Sequence, residues 1–261
     1  METQTGSDVT VYWAPGCSSC LRVKEYLSQH GVAYRSRNIQ TDPTAVSDLG
    51  ALGVRRVPIV AKGDDWVDGQ ALADVARLCG IEFEARVSLT TDVLAARLVR
   101  ILERAREAVL LFDAIMLGEE IPDGKRSFSD LAYHVFSVAE VFLEHDNGQP
   151  VVFESYARLP LPDIATREGL AAYGADVIGR VSAWFDAHLA AYPWDDLADV
   201  YYDRQTNRQF LERTAWHSGQ HLRQLLWRLD RAQSRDLVTS AAPLFKGLPM
   251  PSAVWHSDTG L

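Results

Sequence analysis

The first eighty residues alternate short apolar runs with turn signals. Val9-Thr10-Val11-Tyr12-Trp13 is β-branched and aromatic, which favours a strand. Ala14-Pro15-Gly16 interrupts it, and a helix is predicted from the cysteines at 17 and 20 to about His30, with Gly31 as its stop. A strand over Ala33–Asn38, a helix over Pro43–Gly50, a strand over Val57–Ala61, a short strand at Trp66-Val67 and a helix over Gln70–Cys79 follow. The predicted order is β-α-β-α-β-β-α.

From Thr91 the period changes to that of amphipathic helices. The first is predicted over about Asp92–Leu117, with Leu94, Leu98, Ile101, Ala105, Ala108, Phe112 and Ile115 on one stripe. Gly118 to Lys125 reads as a loop. The second helix starts near Ser127, where Ser127-x-x-Asp130 has the form of a capping box. It carries Leu131, Val135, Val138 and Phe142 and ends at Asp146–Pro150. Residues 151–163 have no period. The third helix spans about Thr166–Ala191 and the fourth about Asp203–Ala232, and the proline-containing remainder reads as a packed tail or short helix. Four long helices with one longer connection fit a four-helix bundle. The expected fold class is α/β plus all-α, divided into domain 1–82, linker 83–90, bundle 91–235 and C-terminal tail 236–261.

Composition narrows the chemistry. Hydrophobic residues make up 47% and charged residues 23% of the 261, ordinary for a globular chain. No apolar run approaches the roughly 20 residues of a membrane span. Met1–Asp8 lacks the pattern of a signal peptide, so the cytoplasm is the expected location. The net charge of −9, with acidic residues in excess in both parts, argues against nucleic acid as a partner.

Three cysteines exclude a disulfide framework. Cys17-Ser18-Ser19-Cys20 lies between a predicted strand and a predicted helix. A helix N-terminus stabilises a thiolate through its unpaired N–H groups and dipole. Cys17 is therefore the expected attacking thiol, and Cys20 the resolving one. Alone, the pair also fits two inert core residues, or half of a zinc site that would need two further ligands. Cys79, near a helix end, reads as a core residue.

Residues 9–80 resemble a glutaredoxin: Tyr12-Trp13-x-Pro15-x-Cys17-x-x-Cys20, Val57-Pro58 and Asp68-Gly69 occur in family order. The resemblance implies a thioredoxin-like fold with a cis proline at Pro58 beside the cysteines. It implies a thiol-binding surface formed by Tyr12, the backbone of Val57, Pro58 and the Asp68-Gly69 turn. Two departures, Ser18-Ser19 between the cysteines and Arg56 before Val57, bear on which thiol is taken.

In the fourth helix, His217 and His221 are four apart and share a face with Leu225 and Leu229. His134 lies between Leu131 and Val138 and should face inward as well. Buried imidazoles need partners. A shared divalent cation would supply one, zinc first, with nickel, iron or manganese as alternatives. Ordinary helix histidines are the plainer reading of His-x-x-x-His alone. No glutamate follows His217, which excludes the His-Glu-x-x-His pattern.

Residues 92–232 resemble the DinB/YfiT-like bundle family through Leu131-x-x-His134 and His217-x-x-x-His221-x-x-Gln224. The resemblance makes the three histidines metal ligands. It implies a metal-dependent transferase or isomerase that uses a low-molecular-weight thiol of the glutathione, mycothiol or bacillithiol type. It is also compatible with a homodimer. His30, His188 and His256 have no expected role, His145 closes the second helix at an exposed or pocket position, Trp194, Tyr201 and Tyr202 fit core packing before pocket lining, and Arg204–Arg213 reads as a solvated helix start.

Three functions remain in play. The first is a thiol-dependent metalloenzyme acting on an unknown small substrate, its glutaredoxin module exchanging disulfides. The second is a plain disulfide reductase with the bundle as scaffold or dimerisation unit. The third is a non-catalytic metal or redox sensor.

Overall fold

A computed structural model describes residues 8–122 and 124–261. The segment Met1–Ser7, where a leader was sought in the sequence, lies outside the described residues, as does Asp123 of the predicted loop. The chain divides into two compact units. One takes in the residues up to Arg86 with Pro122, Gly124 and Pro251–Leu261; the other is Val87–Ile121 with Lys125–Met250. The predicted tail 236–261 is thus split between the two units.

In the first unit the strands are β1 (Val9–Trp13), β2 (Arg35–Asn38), β3 (Ile59–Lys62) and β4 (Asp65–Asp68). Its helices are α1 (Ser18–Gln29), α2 (Ala45–Ala51) and α3 (Leu72–Cys79). The sheet order is β2-β1-β3-β4, with β1 parallel to β2 and antiparallel to β3, and β3 antiparallel to β4. Side chains alternate across the sheet. Val9, Val11 and Val60 pack with Val23 and Leu27 of α1 and Val75 of α3. Tyr12, Ile59 and Ala61 pack with Ala45 and Leu49 of α2. This is the predicted order of elements and the expected thioredoxin-like α/β fold.

The segment 251–261 lies against α1. The Glu25 carboxylate accepts the Ser252 and Ala253 amides at 2.6 and 2.9 Å, and the Lys24 ammonium donates to the Leu261 main-chain oxygen at 2.6 Å. His256 stacks on Trp13, ring centroids 4.6 Å apart. His256, which has no role expected from the sequence, is buried.

The second unit is built on α4 (Thr91–Val109), α6 (Phe128–Asp146), α7 (Arg167–His188) and α8 (Asn207–Gln233), with α4 and α6 each packed on α7 and α8. Three short elements join them: helix α5 (Ala114–Gly118) and a hairpin of β5 (Leu197–Val200) and β6 (Asp203–Thr206). Helix α9 (Leu237–Phe245) packs on α8, held by Arg97 donating to the carbonyls of Pro243, Leu244 and Lys246 at 2.7–3.0 Å.

Two predicted helices are shorter than expected. The first ends at Val109 rather than Leu117, because Asp113 caps a new helix through the Met116 amide at 2.8 Å. Ile115, assigned to the buried stripe, is 79% exposed. The fourth begins at Asn207 rather than Asp203. Residues 203–206 pair with β5, and Thr206 and Gln209 form a capping box that starts α8. The box predicted at Ser127 and Asp130 is present, with both bonds made, at 3.1 and 2.9 Å. Among the described residues no helix is long and apolar enough to cross a membrane.

Candidate redox and metal sites

Cys17 is the N-cap of α1. Its sulfur accepts the Cys20 amide at 3.1 Å, as a side chain does at a capped helix start. Cys17 is half-buried, Cys20 is wholly buried, and the two are joined in a disulfide. The Val57–Pro58 peptide is cis. The Gly69 amide donates to the Pro58 carbonyl at 2.9 Å, and a Cβ on Gly69 would sit 2.9 Å from Pro58 Cβ and 3.3 Å from Val23 Cγ1. Only a glycine lets the turn close on the proline at this distance. Asp68 is buried and accepts Arg56 Nε at 2.9 Å and the Gln70 amide at 3.0 Å; burial nonetheless raises its pKa. Ser19 Oγ donates to Gln70 Oε1 at 3.2 Å, tying the cysteine loop to that turn.

The structure therefore brings Pro58, Gly69 and the Cys17–Cys20 segment into one neighbourhood, with Arg56 holding Asp68. Tyr12 stands apart. It packs with α2, on the sheet face opposite Val11, and lines a hollow of about 570 Å³ with Thr10, Arg35, Asp48 and Lys62. Cys79 is half-buried against the core, and burial raises its thiol pKa.

In the bundle, α6 carries His134 and α8 carries His217 and His221, all facing inward and 2–8% exposed. Each offers a ring nitrogen within 4.8 Å of the others. Among the described residues no carboxylate or cysteine joins this group. Ser218 Oγ donates to the Val135 carbonyl at 3.0 Å and fixes α8 against α6 beside the histidines.

His221 Nδ1 lies 2.7 Å from Gln224 Oε1. The amide oxygen can only accept, so Nδ1 carries the proton and the Nε2 lone pair is left free. His134 Nδ1 and His217 Nδ1 are buried and have no hydrogen-bond partner. Burial is the main reason that all three titrate low, His221 at about 4 and the other two well below the usual range. Neighbouring imidazoles, Arg126 and Arg213 add to it for His134 and His217.

Neutral imidazoles with unpaired nitrogens, converging from two helices, have the donor chemistry of a divalent metal site with open positions. Three nitrogen ligands suit zinc, nickel or iron better than they suit a hard oxygen-seeking ion.

Several neighbours of the triad were not singled out from sequence. Tyr156, in a 3₁₀ turn over Phe153–Tyr156, stacks on His217 with centroids 6.0 Å apart. Trp216 stacks on the same imidazole at 5.5 Å. Arg213, expected to be solvated, is 6% exposed, with its guanidinium carbon 4.5 Å from the ring centroids of both Tyr156 and Tyr202. Its position four residues before His217 extends the histidine stripe by one turn, the one signal that could have flagged it. His145 is half-buried, and its Nε2 accepts the Asp199 amide at 3.2 Å. Trp194 and Tyr202 are buried, as core packing requires.

Residues 9–67 match the glutaredoxin family and residues 83–225 the DinB superfamily. A glutaredoxin-like protein NrdH of Lactococcus lactis subsp. cremoris is 34% identical over 70 residues, 27% of this chain and 97% of its own length. A global transcriptional regulator, Spx 2 of Lactococcus lactis subsp. lactis, is 31% identical over 78 residues, 29% of this chain but only 54% of the regulator. A crystal structure of a mutant thioredoxin-like protein shares 29% identity over 29% of this chain and 97% of its own, with a TM-score of 0.28. The glutaredoxin match and the Cys17–Cys20 pair support thiol–disulfide oxidoreductase chemistry in the N-terminal domain. The chain is a glutaredoxin domain followed by a DinB domain, and it belongs to both families.

Proposed function

We propose that the chain is a thiol-dependent metalloenzyme of S-transferase or isomerase type whose glutaredoxin domain exchanges disulfides. The observation that carries the reading is the convergence of three buried, neutral imidazoles, two of them with unpartnered nitrogens, in the bundle. His134, His217 and His221 would hold a divalent ion, zinc first. When bound, the ion would keep a low-molecular-weight thiol as a reactive thiolate at neutral pH. The chain's own part is to orient and to exclude water: Gln224 fixes the His221 tautomer, and Trp216 and Tyr156 cover His217.

In the N-terminal domain the reduced pair would act on a disulfide. The Cys17 thiolate attacks one sulfur and the substrate S–S bond breaks, releasing one thiolate. Cys20 then attacks Cys17 and releases the second, leaving the Cys17–Cys20 disulfide and two reduced thiols. Tyr12, Val57, Pro58 and the Asp68-Gly69 turn would seat the incoming thiol.

The test is elemental analysis of the purified protein beside a His217→Ala/His221→Ala double variant. About one equivalent of metal that disappears in the variant is the expected result. No metal in either protein, even after supplementation, would sink the catalytic-bundle reading. One observation favours a second reading: NrdH aligns along almost its entire length with the N-terminal domain alone. A disulfide reductase with a scaffolding bundle would instead be expected to hold no metal in the unaltered protein and still to reduce disulfides fully.

A further inference from the structure

Strand β1 divides its side chains between two faces of the sheet. Val9 and Val11 turn to α1 and α3, and Thr10 and Tyr12 turn to the face that α2 covers. Helix α2 has seven residues and is about 10 Å long, whereas four strands span about 14 Å. Part of that face is left uncovered, and the hollow of about 570 Å³ lies there. Its volume is that of a small-molecule site.

Thr10, Tyr12 and Ala61 belong to the sheet side of the hollow, and Ala51 and Leu52 form an apolar wall at the end of α2. Thr10 and Tyr12 are 6% and 7% exposed, yet neither hydroxyl has a hydrogen-bond partner among the described residues. Burying a hydroxyl unpaired is costly. Tyr12 keeps its proton, because burial and Asp48 raise its pKa against the pull of Arg37 and Arg35. Both hydroxyls can therefore donate.

The charges around the hollow differ in their engagement. Arg37 Nη1 holds Asp48 at 3.0 Å, and Lys62 donates to the Leu78 carbonyl at 3.5 Å. Arg35 is exposed on the edge strand β2, directly beside Thr10 in the strand pairing, and Asp8 lies two residues before Thr10 on the same side of the sheet. Among the described residues neither Arg35 nor Asp8 forms an ion pair, with the other or with a third group. The hollow thus presents a guanidinium and a carboxylate around a buried hydroxyl. An uncharged apolar molecule would answer neither charge, and a simple anion would lie against Asp8.

We infer that this hollow binds a short peptide zwitterion, with its carboxylate on Arg35 and Thr10, its ammonium on Asp8 and its side chain against Ala51 and Leu52. A planar guanidinium holds a carboxylate through two parallel hydrogen bonds. A dipeptide fills the volume better than a free amino acid does. The inference is independent of the metal and of disulfide exchange, and no covalent bond changes on binding.

The experiment titrates the full chain, in its disulfide form, with glycyl-leucine, its N-acetyl derivative and its carboxamide, and follows the backbone amides by NMR. The shifts should map to Thr10, Arg35, Leu52 and Ala61. Glycyl-leucine is expected to bind about tenfold or more tighter than either blocked form. Arg35→Met should make it no better than the carboxamide, and Asp8→Asn no better than the N-acetyl form. Both side chains are exposed, so both variants should fold. Thr10→Val removes the hydroxyl at constant shape and should weaken the two acids while leaving the carboxamide unchanged. No shift in the hollow from any of the three at about 20 mM would overturn the proposal, since a few charged hydrogen bonds bring such peptides to the millimolar range. So would equal affinities of the three, which would reduce the contact to the leucine side chain, or a preference for the free acid that persists in Arg35→Met. Shifts confined to Cys17 and Gly69 would overturn it as well and place the peptide at the cysteines.

Discussion

The two domains place their chemistry differently. In the glutaredoxin domain the reacting groups lie within one turn of a helix, and a strand, a loop and a cap suffice to set Cys17 at its start. In the bundle His134 is more than eighty residues from His217 and His221 in the chain, and only the packing of α6 on α8 makes it their neighbour. The reacting cysteines of the first site are neighbours in the chain, whereas the second site is a property of tertiary structure alone. The sharpest way to break this contrast is to cross the two sets of variants. His217→Ala/His221→Ala is expected to lose the metal completely and to keep reduction of a small disulfide at Cys17. Cys17→Ser is expected to lose disulfide reduction completely and to keep the metal. A loss of both properties in either variant would mean that the sites are one machine.

A smaller effect tests how the bundle site is tuned. Gln224 orients His221 from the next turn of the same helix at 2.7 Å. Gln224→Leu should lower metal affinity by about 10–100-fold with the three ligands intact. Competition against a chelator measures it, and unchanged affinity would show that the hydrogen bond serves packing alone. In the glutaredoxin domain the corresponding support is steric. Gly69→Ala puts a methyl 2.9 Å from Pro58 Cβ, with Val23 behind it, and should destabilise that domain by about 1–3 kcal/mol in denaturant unfolding. A near-neutral result would mean that the turn can move away from the proline.

The same contrast governs what the amino-acid sequence made legible. Cys17-x-x-Cys20 is short and sits at an element boundary, so pattern found it together with the order of elements around it, whereas Val57-Pro58 and Asp68-Gly69 were singled out by the resemblance to glutaredoxins. The four bundle helices and the inward face of His134, His217 and His221 followed from the 3.6-residue period. What escaped depends on partners distant in the chain. Asp203-Arg204-Gln205-Thr206 has no apolar alternation and forms a strand only because β5 pairs with it. The apolar stripe through Phe112 and Ile115 looked continuous, yet Asp113 caps a new helix there and Ile115 faces solvent. Arg213 reads as a surface charge until Tyr156 and Tyr202 are seen to cover it. His256 lies in a proline-bearing tail with no period and is buried by packing on Trp13.

His256 supplies the smallest effect and a direct probe of that last class of contact. Burial, with Lys24 beside it, holds its pKa down to about 3, against about 6.5 in an unfolded chain. Below pH 6.5 the detached segment takes up a proton that the packed one refuses. The contribution of His256 is therefore fully present above that pH, and it is lost progressively as the pH falls toward 3. At pH 6 the loss should be about 1 kcal/mol. The amides of Ser252 and Ala253, bonded to Glu25, report opening of the segment through hydrogen exchange. Protection at these two amides, corrected for intrinsic exchange, should fall from pH 7.5 to pH 6 in the wild type. His256→Phe keeps an aromatic ring for Trp13 and removes the titration, so its protection should stay level over the same range. An equal fall in both proteins would place the pH sensitivity of the segment elsewhere than at His256.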